Sequence, residues 1–160
     1  MEICTIGFTK HCAREFFGIL TAEGVEKLID VRLNNVSQLA GFAKRDDLLY
    51  FLELHGIGYV HEPRLLAPTA DLFKAYRNRE ITWDDYEKRF LDLIAGRSIE
   101  TELSPEFFRP RSVLLCSEHA AAQCHRRLIV EYLGTHWPDV RALHLPRLGH
   151  SKHPPESRGR

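Results

Sequence analysis

Two thiols, a carboxylate, an imidazole and two guanidinium groups fall close together in Cys116-Ser-Glu-His-Ala-Ala-Ala-Gln-Cys124-His125-Arg126-Arg127. Such a set can supply a nucleophile (Cys124 or Cys116), groups that move protons (Glu118, His125) and a cation for a substrate anion (Arg126). If Cys124 begins a helix reaching about Leu133, then Cys124, Leu128 and Tyr132 form one stripe and His125, Ile129 and Leu133 the next. The thiol and the imidazole would then extend a core face to its rim. Arg126 and Arg127 would occupy the first turn, where the helix dipole disfavours a cation unless an anion, either Glu118 or a ligand, lies beside it. A thiol at a helix start beside imidazole and guanidinium is in surroundings that lower its pKa.

Plainer readings stand beside this one. Cys124 suits a small core position, His125 a satisfied buried histidine, and Arg127 a surface charge near Glu131. The segment also offers Cys116, Cys124 and His125, with Glu118 or His61, as ligands for zinc or iron, although Cys-x7-Cys-His is not a standard zinc-finger spacing. Nothing in the spacing requires a cofactor.

Short apolar runs at Ile3-Phe8, Lys27-Arg32, Gly58-His61, Ser112-Cys116 and Val140-Leu145 alternate with helical patterns. That alternation predicts an α/β domain with a mostly parallel, Rossmann-like or flavodoxin-like sheet flanked by helices. Phe16, Phe17, Leu20 and Val25 fit a first crossover helix ending near Gly24. Leu48, Leu49, Phe51 and Leu52 fit a second, with Asp46 and Asp47 at its start and Gly56 stopping it. The connection from the third run to the fourth, about 64–110, is longer than a crossover needs and carries helical patterns at Asp71-Asn78 and Thr82-Ile94, the second with Thr82 as its N-cap candidate, Asp85 in its first turn and Tyr86, Phe90, Leu93 and Ile94 on one apolar stripe. It reads as a helical insertion that packs on the sheet or forms a homodimer interface, with a substrate lid as the alternative. Residues 1–150 form one domain on this reading, and 151–160, without apolar pattern, a flexible tail.

Parallel strands joined by right-handed crossovers bring their carboxyl ends to one rim, where open α/β sheets bind ligands. Polar groups gather at four of these ends: Gly7, Thr9 and Lys10; Asp30, Arg32, Asn34 and Asn35; His61; and Cys116, Ser117 and Glu118. Gly7 would let a ligand approach the backbone, though it also suits a tight turn; the loop has neither a dinucleotide fingerprint nor a P-loop. Asp30 and Arg32 share one face of their strand. They make either a structural ion pair or a site in which Asp30 orients Arg32, Arg126 or His125 toward an anion.

Lys and Arg total 22 and Asp and Glu total 22, so the chain lacks the global positive field of sequence-blind nucleic-acid binders. His119, Arg126, Arg127 and the tail leave room for a local basic patch. Neither a basic leader nor a membrane-length apolar run is evident, and four cysteines without CxxC pairing read as thiols or ligands of a cytoplasmic protein.

With Ile29-Asp-Val-Arg32 and Cys116-Ser-Glu to Cys124-His-Arg-Arg in view, the sequence resembles the domain-of-unknown-function family numbered 488. Thr5-Ile-Gly7, Gly56-Ile-Gly-Tyr-Val-His61, the stretch from Leu33 to Asp47, and Ala67-Pro-Thr69 carry the resemblance further. It implies an α/β fold and the same polar positions, with no established reaction. Many relatives have His where this chain has Phe8, and Val36-Ser-Gln-Leu39 replaces a basic segment common in other members. Ile-Asp-Val-Arg also occurs in rhodanese-like proteins, but those hold their anion in a short loop from cysteine to arginine, whereas Cys116 reaches arginine only at Arg126.

The expectation is an enzyme acting on a small anionic or nucleotide-like substrate. Cys124, Glu118, His125, Cys116 and Asp30 would carry the chemistry, and Arg32, Arg126, Gly7, Thr9, Lys10, Asn34 and His61 would bind. A zinc or iron protein and a non-catalytic nucleic-acid or protein-binding module are the alternatives.

Overall fold

The computed structural model describes residues 1–36, 40–118 and 120–147. His119, the expected tail at 151–160 and most of the Val36–Leu39 segment lie outside them. Five strands, β1 (Glu2–Gly7), β2 (Lys27–Asp30), β3 (Gly58–His61), β4 (Ser112–Cys116) and β5 (Arg141–His144), form one all-parallel sheet in the order β3-β2-β4-β1-β5. The helices are α1 (Ala13–Ala22), α2 (Arg45–Leu54), α3 (Pro63–Leu66), α4 (Ala70–Arg77), α5 (Trp83–Gly96), α6 (Ile99–Glu102) and α7 (His125–His136). The architecture is the Rossmann-like or flavodoxin-like α/β class that the strand–helix alternation implies.

Period two decides which side chain meets which layer. Cys4, Ile6, Leu28, Val113 and Leu115 point into one core with Phe16, Phe17 and Leu20 of α1 and Leu48 and Leu52 of α2. Ile3, Ile29, Leu114 and Cys116 point into the other, with Tyr86, Phe90 and Ile94 of α5 and Leu128, Ile129 and Leu133 of α7. The inner strands β1, β2 and β4 are covered on both faces and buried almost without interruption, as parallel sheets require, while β3 and β5 form the edges. Gly24 and Gly56, at φ +64 and +66, follow α1 and α2 and take the left-handed conformation that ends each helix cheaply. Among the described residues no helix is long and apolar enough to cross a membrane.

Helices α3 to α6 lie between β3 and β4. The longest, α5, starts as its sequence indicates: Thr82 accepts from the Asp85 amide at 3.2 Å while the Asp85 carboxylate accepts from the Thr82 amide. Short α3 and α6 have too few apolar positions to declare a period, so periodicity passes over them. Arg127 of α7 ties α5 to α7 by accepting no proton but donating to Glu87 at 2.7 Å and to Glu131 at 2.9 Å.

The chain order places one crevice. From β1 the chain leaves over the α1 layer toward β2, whereas from adjacent β4 it leaves over the α7 layer toward β5. Neighbouring strands whose connections depart to opposite faces make a topological switch point at their carboxyl ends. Gly7 and Cys116 are register partners there.

On the α1/α2 face, the Asp30–Arg32 pair is fully buried and fully satisfied. Arg32 donates from Nε and one terminal nitrogen to the two Asp30 oxygens at 2.8 and 2.7 Å, and from the other nitrogen to the Ala43 carbonyl at 2.7 Å. Removing only Asp30 strands a buried cation. Asp30→Ala is expected to cost about 3–5 kcal/mol in urea unfolding, and adding Arg32→Met to recover most of that loss.

Candidate functional site

Strand β4 ends at Cys116, and a loop over residues 117–124 leads into α7, whose N-cap is Cys124 in extended conformation (φ −143, ψ 138). The strand end and the helix start therefore face each other, bringing the Cys116 and Cys124 sulfurs and a His125 ring nitrogen within 4.8 Å of one another. All three residues are buried. Cys116 Sγ lies 3.6 Å from His125 Nδ1, and His125 Nε2 lies 2.9 Å from the Val31 carbonyl oxygen. A carbonyl only accepts, so Nε2 carries a proton. In the neutral ring the Nδ1 lone pair is then turned to Cys116.

The two thiols are driven apart in acidity. The Cys124 thiol donating to it, opposed by its own burial, holds Cys116 below the usual thiol range, assisted by the Arg126 charge and the amides of Glu118 and Ser117. Burial, then the neighbouring Cys116, pushes Cys124 well above that range. The depressed pKa expected at the helix start therefore belongs to the strand-end thiol, to which Cys124 donates.

Arg126 is one of the largest fully buried side chains. It donates to the Glu118 backbone carbonyl at 2.5 Å and to Thr5 Oγ1 at 3.4 Å. The anion expected beside it is thus not the Glu118 carboxylate, which belongs to an exposed residue; the guanidinium instead holds the loop after β4 in place. Thr5 Oγ1 is 2.7 Å from His144 Nδ1. Since Thr5 oxygen accepts from Arg126, its own proton is available to a neutral His144.

Sequence reasoning joined Asp30 and Arg32 to this constellation, and the structure separates them. Both lie on the opposite sheet face, where Tyr59 also donates to Asp30 at 2.8 Å and Asn35 to Tyr59 at 2.8 Å. Arg32 is committed to Asp30 and Ala43, and its guanidinium lies over the Phe8 ring at 5.4 Å, not at the thiols. His61, in register with Asp30, contacts the Arg32 carbonyl at 2.8 Å through Nε2. Asn34 is exposed and accepts from the Val36 amide at 3.0 Å. Thr9 donates to the Ser117 carbonyl at 2.8 Å, tying the loops after β1 and β4 together, and exposed Lys10 follows with φ +64. Gly7 is the register partner of Cys116 and shares its face of the sheet.

Three residues near the thiols escaped the sequence reading as site members. Thr5 and His144 were discoverable, since period two puts Thr5 on the face of Gly7 and His144 is the histidine inside the last apolar run. Tyr86 read only as part of the α5 stripe. It stacks on Phe90 at 6.0 Å, Phe90 meets the His125 ring edge-on at 5.4 Å, and burial followed by the charges of the two cysteines pushes its hydroxyl pKa up, so it stays protonated.

Burial and then the Arg126 charge hold His144 below its usual pKa of 6.5. The folded state therefore binds this proton less readily than the unfolded chain, so stability falls as pH drops from 6.5 toward the lowered native value. Urea unfolding at several pH values is expected to show that loss shrinking in His144→Gln.

No curated protein and no solved structure matches the chain. The family model described as Domain of unknown function DUF488 matches residues 13–133, a span that includes α1, the Asp30–Arg32 pair and the whole Cys116–Arg126 segment, and the chain belongs to that family.

Proposed function

We propose that the protein is an enzyme that uses Cys116 as a thiolate nucleophile on a small anionic substrate at the β1–β4 switch point. The observation that carries this reading is the 3.6 Å approach of Cys116 Sγ to His125 Nδ1, with the other ring nitrogen fixed by Val31. A nucleophile, an adjacent base and a group orienting the base are the elements of activated-thiol catalysis. Arg126 and the Ser117 and Glu118 amides favour the thiolate and give the site a positive bias suited to an anion.

A zinc or iron centre is the second reading, and a specific distance favours it. A tetrahedral ion with sulfur at about 2.3 Å and nitrogen at about 2.1 Å spaces two such donors roughly 3.5 Å apart, close to the 3.6 Å between Cys116 and His125. His125 has the carbonyl partner on its far nitrogen that ligating histidines commonly use. Two thiols and one imidazole would leave a fourth position open.

One preparation separates the two. Protein purified without added metal is assayed for metal content, and iodoacetamide labelling of the Cys116 peptide is followed against pH. The thiolate reading expects little bound metal and a labelling midpoint below that of the same peptide in urea-unfolded protein, rising in His125→Asn. Near-stoichiometric metal with Cys116 and Cys124 both protected transfers the assignment to the metal centre. A midpoint equal to the unfolded one, without metal, removes both.

A further inference from the structure

The nucleophile reading leaves Cys124 without a chemical task, although it is a buried thiol placed against Cys116. Its position is unusual in three respects. Its sulfur lies within 4.8 Å of both the Cys116 sulfur and a His125 ring nitrogen, so one imidazole stands beside two thiols. It sits at the N-cap, after a loop containing Ala120, Ala121 and Ala122, whereas Cys116 is paired into the centre of the sheet. And Glu118, in that loop, is held by Arg126, so the loop's path back to the strand end is fixed while its small residues leave little to displace.

We propose that Cys124 is a resolving thiol for Cys116, giving the site two-electron thiol–disulfide exchange with a small disulfide that carries carboxylate groups. This rests on Cys116 being the attacking thiolate. In the first step Cys116 gives its proton to His125 Nδ1 and its sulfur forms a bond to one sulfur of the substrate RS–SR; the substrate S–S bond breaks, and RS⁻ departs with the electron pair and takes the proton from the imidazolium, which leaves the ring neutral. In the second, Cys124 gives its proton to His125 Nδ1 and attacks the Cys116 sulfur. The Cys116–SR bond breaks, and the second RS⁻ leaves and takes the proton from the imidazolium. Two protein thiols and RS–SR become a Cys116–Cys124 disulfide and two RSH. The protein is oxidised by two electrons and the substrate disulfide reduced; a dithiol reductant restores the starting state.

The division of labour follows from the place of each sulfur: Cys116 ends a paired central strand with its sulfur 3.6 Å from His125 Nδ1, whereas Cys124 stands at the start of α7 with its sulfur within 4.8 Å of that of Cys116. Closure to the roughly 2 Å of an S–S bond requires the two sulfurs to approach further, and that movement falls to Cys124 on its N-cap.

The test exposes the full chain to glutathione disulfide without air, blocks remaining thiols and maps the cysteine peptides by mass. Wild-type protein is expected to become lighter by two hydrogens, with Cys116 joined to Cys124 and no glutathione retained on either. Cys124→Ser and Cys124→Ala, each checked for native circular dichroism, should stop one glutathione heavier at Cys116, and Cys116→Ser should carry nothing at Cys124. If wild type and both Cys124 variants keep the same Cys116–glutathione adduct, the resolving role is overturned while the nucleophile stands. If Cys116 takes no glutathione in any of them, the nucleophile reading itself fails and the resolving role with it.

Discussion

The hydrogen bond from His125 Nε2 to the Val31 carbonyl, 2.9 Å long and buried, joins residues far apart in the chain and sets the character of the whole rim. Because a carbonyl cannot donate, it fixes one tautomer of the ring and turns the remaining lone pair to Cys116. It also ties the start of α7 to the end of β2, so the position of Cys124 relative to Cys116 depends on a contact with a third element. Had the ring bonded to a hydroxyl, which both donates and accepts, neither tautomer nor orientation would be fixed.

The sheet keeps two kinds of polar chemistry apart. Asp30 and Arg32 are saturated: every guanidinium nitrogen has a named acceptor, and the carboxylate also receives the Arg32 amide and the Tyr59 hydroxyl. A buried pair of this quality holds the α1/α2 face together and resists rearrangement. Across the sheet, the groups around Cys116 are softer. Thiols make weak hydrogen bonds, and buried Arg126 donates to a carbonyl and a hydroxyl, so its charge can act on the neighbouring sulfur. In a low-dielectric interior that influence is stronger than at a surface.

The insertion supplies the low dielectric. Tyr86 and Phe90 of α5 lie against the cysteine and histidine side of the sheet, and Arg127 clamps α5 to α7 through Glu87. Without that layer the thiols would sit on an open sheet face, where water would level their acidities. The connection from β3 to β4 is thus part of the wall of the thiol centre.

Much of this was legible in the residues alone. Apolar runs separated by helical patterns dictated a parallel α/β sheet, because strands buried on both faces and crossovers of that length have few other arrangements. Thr82 and Asp85 announced the start of α5, and the spacing of Cys116, Cys124, His125 and Arg126 announced the cluster that the fold brings together. What periodicity along one strand cannot reveal is which face of the sheet each connection will cover. The order β3-β2-β4-β1-β5 therefore decided that Arg32 belongs to a different core from Arg126, and that Thr5 and His144 reach the latter. Acidity was equally hidden: helix-start chemistry favours Cys124 as the thiolate, but only packing shows it buried and donating to Cys116. Local sequence determined the chemical groups and their elements; the tertiary structure decided their partners, because solvation and hydrogen bonding depend on neighbours that the chain brings from elsewhere.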